Sequence, residues 1–184
     1  TLDSRLQQVA QQALAAGETP CLQSRVGAWE ARHAPGNFTY ASHAAILAGF
    51  FPTPVAPGRH VRPFALSFPG SRSIGQSTAV LEGDSLVAGL RSRGYHTVCV
   101  GGTGFFNPTT PLGRVLPGMF DEAHWEPAFG VTEPRSCQAQ IDRACERLGA
   151  AARGQPVLLF LNLSATHPPT RFYQPGASVE SVDT

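Results

Sequence analysis

Tyr95-His96-Thr97-Val98-Cys99-Val100 (residues 95–100), followed at once by Gly101-Gly102-Thr103-Gly104, is the stretch on which the fold turns. Its near-continuous run of β-branched and apolar residues reads as a strand buried on both faces, which is the habit of parallel sheets. Ahead of it, Val80 to Arg93 carries Leu81, Leu86, Val87 and Leu90 at helical spacing, and Gly94 stops the pattern. Helix then strand makes one αβ unit. The same order recurs downstream, where Cys137 to Ala151 reads as a helix with Ile141, Ala144, Cys145 and Leu148 as its inner face, and Pro156 to Leu163 (PVLLFLNL) as the next buried strand. Two such units predict an α/β fold, a mainly parallel sheet flanked by helices.

Further out the signals weaken. Ser4 to Ala16 reads as a helix: Leu6, Val9, Ala10, Ala13 and Leu14 form one stripe, Ser4 and Gln7 a capping box, Gly17 the stop. Thr1-Leu2-Asp3 before it look like the last residues of a strand, so Asp3 falls at a strand's carboxyl end, where open α/β sheets gather ligands. A Pro/Gly-punctuated region runs to Pro35, and Ser42 to Ala48 then reads as a short helix closed by Gly49. Phe50 to Gly58 is loop, Arg62 to Phe68 (RPFALSF) a strand, and the passage from Gly101 through Trp125 irregular. The tail from Arg171 to Thr184 has no pattern. The expectation is a single partial α/β domain over residues 1–184, truncated at both ends.

Composition narrows the function. Charged residues are 15% of the chain, against about 25% in an average protein, and the net charge is +1 with no basic stripe, which argues against a nucleic-acid polymer as partner. No run approaches the roughly 18 apolar residues of a membrane span. With 42% hydrophobic residues the core needs no disulfide scaffold, so Cys21, Cys99, Cys137 and Cys145 read as reduced and mostly buried in a cytoplasmic protein. Cys137 and Cys145, eight apart on one helix, read as core packing.

The glycine turn Gly101 to Phe106 follows a strand as a phosphate loop does, yet it has no GxGxxG or GxxxxGK[ST] pattern, and a tight turn explains it. Asn37-Phe38-Thr39-Tyr40-Ala41-Ser42-His43 crowds an amide, hydroxyls and an imidazole at a helix start. Such a start favours an anion, and a bound cation there would turn a hydroxyl into a nucleophile. Equally, Thr39 or Ser42 caps the helix and His43 packs beside it. His167, just past the strand and braced by Pro168-Pro169, falls near the same sheet edge as Asp3, as an oxyanion donor, a metal ligand or an ordered loop histidine. His33, His43, His60, His96 and His124 show no short-range ligand spacing.

In order along the chain, TLDS, Thr19-Pro20-Cys21-Leu22, Thr39-x-Ala41-Ser42-His43-Ala44 with Gly49 and Phe50-x-Pro52 behind, Gly94-Tyr95-x-Thr97, and Thr166-His167-Pro168-Pro169 resemble the sulfatase branch of the alkaline phosphatase superfamily. Gly27 to Pro54 and Gly94 to Pro108 are similar to a bacterial family of sulfatase-like metalloenzymes of uncertain substrate. Five pieces in order span nearly the whole chain, as the N-terminal part of that fold.

The resemblance implies a divalent metal held by Asp3 and Thr39, with zinc or manganese expected first and calcium or magnesium as alternatives. It makes Thr39 the nucleophile, sets His167 near the substrate oxyanion, and leaves Asn37, Ser42 and His43 to contact substrate. Thr39-Tyr40-Ala41-Ser42-His43 is similar to the T-F-P-N-H pattern of nucleotide pyrophosphatase/phosphodiesterases. The implied reaction is hydrolysis or transfer of a small-molecule phosphate ester, phosphodiester or phosphonate through a phospho-threonine. A sulfatase needs Cys or Ser at position 39 to mature to formylglycine, so a sulfuric ester hydrolase is the alternative. Where sulfatases carry a Gly-Lys pair this chain has Gly101-Gly102, and the family's downstream Asp and His ligands would lie beyond Thr184. These departures leave a second alternative, a non-catalytic anion-binding module on the same scaffold.

Overall fold

The computed structural model describes residues 12–13, 15–18, 20–26, 35, 39–49, 64–66, 79–81 and 85–167. Its helices are α1 (Pro20–Val26), α2 (Thr39–Ala48), α3 (Leu86–Arg91) and α4 (Ser136–Ala150). Its strands are β1 (Phe64–Leu66), β2 (Ala79–Leu81), β3 (His96–Gly101), β4 (Glu122–His124) and β5 (Val157–Asn162). β4, β3 and β5 form a parallel sheet in that order, and β1 and β2 pair in parallel apart from it. The chain is therefore mixed α/β, with a small parallel sheet flanked by helices. No described helix is long and apolar enough to cross a membrane.

β3 is central because every residue from Thr97 to Gly101 is buried, and the two-residue period of a strand sends its side chains into two cores. Cys99 faces one, with Ala44 and Leu47 of α2, Val87 of α3, Phe106, Leu116 and Phe120, and with Leu158 and Phe160 against them. Val98 and Val100 face the other, with Phe129, Ala144 of α4, Leu159 and Leu161. Thr97 is buried without penalty, since its N–H and Oγ1–H both donate to Asp121 Oδ2, at 2.9 and 2.8 Å, and its Oγ1 accepts from the Asp121 N–H.

The sequence reading needs several corrections. Val80 to Arg93 is not one helix: Ala79-Val80-Leu81 pairs with Phe64-Ala65-Leu66, and α3 starts only after Ser85, whose Oγ accepts from the Ala88 N–H at 3.1 Å as an N-cap. Leu86, counted on the inner stripe, is exposed. α2 begins three residues before Ser42, at Thr39, and α1 occupies part of the region taken as Pro/Gly-punctuated. The irregular passage contains a third strand, β4, whose register to β3 (Val98 with Glu122, Val100 with His124) is too short to show as a pattern. The end of the N-terminal helix stands as expected, with Ala16 N–H donating to Gln12 O and Gly17 at φ 74°. Its beginning, Thr1 to Asp3 and the tail from Arg171 lie outside the described residues.

Two corrections concern burial. All four cysteines are free, but only Cys99 is buried, Cys137 is half-buried, and Cys21 and Cys145 are exposed. α4 turns inward not the stripe Ile141, Cys145 and Leu148 but Ser136, Gln140 and Ala144; Ile141 is 36% and Leu148 45% exposed. Polar pairing sets this rotation. Gln140 is needed at the carboxyl end of β5, and Arg147, two turns on, must reach Glu122 at the start of β4.

That second contact closes the amino-side end of the sheet. Arg147 Nε and Nη2 donate to Glu122 Oε2 and Oε1 at 2.8 and 3.0 Å, while His96 Nε2 and His124 Nε2 lie 2.7 and 3.1 Å from the same carboxylate. The bidentate guanidinium, with the two imidazoles opposing burial of the charge, holds the Glu122 carboxyl down at about 2, from an ordinary 4.5. A depressed carboxylate contributes stability that is complete above the unfolded value and lost as pH falls through the folded one. Urea unfolding followed from pH 5 to pH 2 is therefore expected to show stability falling across that window, and Glu122→Gln to flatten the fall; an equally steep fall in the variant would contradict the assignment.

Candidate functional site

Two parallel strands end side by side, Gly101 of β3 opposite Asn162 of β5, and the chain leaves both at the same edge. In a parallel sheet this edge collects loops from several elements, which is why ligands bind there. Here it is closely built. A Cβ on Gly102 would stand 2.7 Å from Ser164 Cβ, 2.8 Å from Gln140 Nε2 and 2.9 Å from Asn162 O, so only glycine lets the two exits approach. Gly101 in the same way makes room for the Phe106 ring that folds back over it.

A polar clamp fixes this approach. Asn162 Oδ1 accepts from the Thr103 N–H at 3.2 Å and the Gly102 N–H at 3.4 Å. Gln140, 0% exposed, donates from Nε2 to Asn162 O at 2.7 Å, while its Oε1 accepts from Ser164 N–H at 3.0 Å and Ser164 Oγ–H at 3.2 Å. One buried amide thus ties the end of β5 to the turn that carries His167, and a second ties it to the turn after β3. Sequence reading missed both. Their signal, a polar residue on the inner line of a helix and an Asn ending an apolar strand, has meaning only once the register of β3 and β5 is known.

α2 brings the predicted hydroxyls to this edge. The Tyr40 ring is 5.5 Å from that of Phe105, in the turn directly after β3. One turn on, the His43 ring meets Phe106 and Phe160 edge-on at 5.7 and 5.3 Å. Thr39, as the first residue of the helix, therefore lies at the carboxyl edge, half-buried, with Ser42 and His43 on the same helix. His167 follows the single turn Ser164–Thr166 at the end of β5 and is exposed, its N–H donating to Ser164 O at 2.9 Å. Asp3 and Asn37 lie outside the described residues.

His43 Nδ1 is 2.7 Å from Thr39 O. A carbonyl oxygen only accepts, so Nδ1 carries the proton and Nε2 keeps its lone pair while the ring is neutral. Burial against the two phenylalanines pushes its pKa below the ordinary 6.5, against the opposing pull of the carbonyl. Nearby, the Thr103 hydroxyl is buried with no hydrogen-bond partner, as are Ser136 Oγ, at the start of α4, and Trp125 Nε1. Thr103 and Trp125 are further polar groups at this edge that the sequence did not single out.

Among the described residues no group of three or more His, Cys, Asp or Glu side chains is placed to hold a metal ion. His96, Glu122 and His124 do converge, but Arg147 already occupies the carboxylate. Of the two ligands expected for a divalent ion, Thr39 is at the edge and Asp3 is outside the described residues, so no step through a metal follows from this geometry. No protein-family model, curated protein or solved structure matches the chain.

The chemistry the edge offers is a hydroxyl at a helix start, a neutral imidazole one turn along and the unpartnered Thr103 hydroxyl, beside backbone N–H groups already taken up by two amides. A ¹H–¹⁵N titration of the ring nitrogens is expected to show His43 as the Nδ1–H tautomer, protonating below pH 6.5. A pKa at or above 6.5, or the Nε2–H tautomer, would contradict the packing described.

Proposed function

We propose that this chain acts on a small-molecule phosphate ester, phosphodiester or phosphonate, as a metal-dependent hydrolase or transferase with Thr39 as nucleophile. The observation that supports this reading above the others is the position of Thr39: it opens a ten-residue helix at the carboxyl edge of a parallel sheet. The positive end of that helix favours an anionic group and lowers the cost of an alkoxide. The sequence order in which Thr39 and His167 occur resembles the sulfatase branch of the alkaline phosphatase superfamily, and both fall at one edge. A divalent ion, when bound, would lower the pKa of the hydroxyl and polarise the ester; Asp3 and Thr39 are the ligands proposed for it.

Thr39 would attack phosphorus, its Oγ1–P bond forming as the bond to the leaving alkoxide or aryloxide breaks, and water would later cleave the phospho-threonine. His43 Nε2, unprotonated near neutral pH, is available to accept the hydroxyl proton or to orient the substrate. His167, exposed after the turn that ends β5, is proposed to donate to the oxyanion. Sulfuric ester hydrolysis stays the alternative chemistry for the same edge, and would need a nucleophile other than Thr39.

A specific observation favours a non-catalytic anion-binding module as the second reading: the turn after β3 holds the unpartnered Thr103 hydroxyl but no cationic side chain from Gly101 to Phe106. One experiment separates the readings. With Mn²⁺ or Zn²⁺ supplied, Thr39→Ala is expected to lower turnover of an aryl phosphodiester at least about a thousandfold, with an unchanged far-UV circular dichroism spectrum. Retained turnover would remove Thr39 from the chemistry, and phosphate binding without turnover in the unaltered protein would establish the binding module instead.

A further inference from the structure

α4 opens without a cap. Where a helix ordinarily has Ser, Thr, Asp or Asn it has Arg135, whose side chain makes no capping bond, and no Asp or Glu in the first turn offsets the positive end of the helix. Ser136 N–H donates to Glu133 O and Ala139 N–H to Arg135 O, both at 3.0 Å. Between them, the N–H groups of Cys137 and Gln138 find no acceptor among the described residues. Donors orphaned in this way at the start of a 15-residue helix call for a side chain, water or a ligand.

A second observation points to a ligand. Ser136, the first helical residue, is 1% exposed, and its hydroxyl is buried with no hydrogen-bond partner. Cα–Cβ bonds in a helix tilt toward its amino end, so this hydroxyl is directed to the same end as the two orphan N–H groups. Arg135 is exposed and forms no ion pair among the described residues. The Gln138 side chain is turned away, its Nε2 donating to Asp142 Oδ1 at 2.8 Å.

This helix start lies outside the carboxyl edge of the sheet. Gln140 reaches Asn162 O, and Ser136, one turn earlier on the same buried line, stands about 5.4 Å further along the axis. α4 packs on the Val98 and Val100 face of β3, whereas α2 packs on the Cys99 face. The sheet therefore separates the start of α4 from Thr39, and what binds at one is independent of the chemistry at the other.

We propose that the start of α4 is a phosphate-binding site, taking a phosphate group that is free or ends a small ester. Cys137 N–H, Gln138 N–H and Ser136 Oγ–H donate to its oxygens, and Arg135 supplies the opposite charge. A tetrahedral group with three or four oxygens meets a hydroxyl, two N–H groups and a guanidinium from more directions than a planar carboxylate does. Glu133, exposed in the turn that leads into the helix, is the opposing charge.

¹H–¹⁵N spectra of the full chain, titrated at constant ionic strength with inorganic phosphate and separately with phenyl phosphate, test this. Saturable shifts of the Cys137 and Gln138 amides are expected, with a dissociation constant of about 10 mM or tighter for at least one of the two; the tighter ligand identifies a free or an esterified phosphate as the occupant. Arg135→Gln is expected to weaken binding about tenfold, and Glu133→Gln to strengthen it. Ser136→Ala separates a binding role from a structural one. Its hydroxyl bonds nothing in the free protein, so without phosphate the variant keeps the same urea midpoint or a higher one, while phosphate binding weakens about threefold or more. Thr39→Ala leaves the shifts in place. Shifts confined to Tyr40 and Ala41 would put phosphate at the Thr39 edge alone, overturning this proposal and sparing the reading of Thr39. No saturable shift with either ligand, shifts indifferent to both Arg135→Gln and Ser136→Ala, or Cys137 and Gln138 amides already protected from exchange without phosphate, where another part of the chain caps the helix, would each overturn it too.

Discussion

Gln140 and Asn162 bear the constraint on which the carboxyl edge depends. Two parallel strands cannot turn outward at the same level without leaving several backbone groups unpaired, and buried N–H and C=O groups cost about 1–3 kcal/mol each when orphaned. The two side-chain amides resolve this with five contacts: Gly102 N–H, Thr103 N–H, Asn162 O, Ser164 N–H and Ser164 Oγ–H. Glycine at 102 is the steric half of the same solution, since any Cβ would strike Ser164, Gln140 and Asn162 together. Networks of this kind hold geometry well when every member is satisfied.

From that clamp the rest of the architecture follows. Gln140 must face inward, so α4 presents Ser136, Gln140 and Ala144 to the sheet, and Arg147 lands on Glu122 at the far end. The helix is thus fastened at both ends by polar contacts, with Ala144 between them packed on Val98, Val100 and Phe129. The cost of this orientation is the exposed stripe Ile141, Cys145 and Leu148. On the opposite face the aromatic group Phe106, Phe120 and Phe160 seats α2 through His43, and so sets where Thr39 begins its helix.

Much of this was legible from residues alone. The unbroken apolar character of β3 and β5, and glycine after helical spacing, predicted the parallel α/β arrangement; the tight turn read from Gly101 onward starts one residue later, at Gly102, since Gly101 ends β3. The errors share one cause, that long-range pairing, of backbone or of side chains, overrode local pattern. Ile141, Cys145 and Leu148 satisfy helical periodicity as well as Ser136, Gln140 and Ala144 do, and nothing local shows that Gln140 has carbonyl and N–H partners 22 and 24 residues away. β4 was missed because three residues, two of them ionisable, carry no period; they become a strand by lying beside Val98 to Val100. The histidines at 96 and 124 likewise gain a common partner, Glu122, only through that register. Thr39, Ser42, His43 and His167 were named from residue type and order; the first three lie on α2 and His167 follows β5, while Asp3 and Asn37 fall outside the described residues.

The most direct test of the clamp is residue-resolved amide exchange in the unaltered chain and in Gln140→Leu. Gly102 and Thr103 donate to Asn162, not to Gln140, so their response reports whether the edge is one connected unit. Faster exchange at Gly102 and Thr103 as well as at Ser164, with Val98 to Val100 still protected, is the predicted result. Faster exchange at Ser164 alone would mean that the two exits are held independently and that Gln140 does not organise the site.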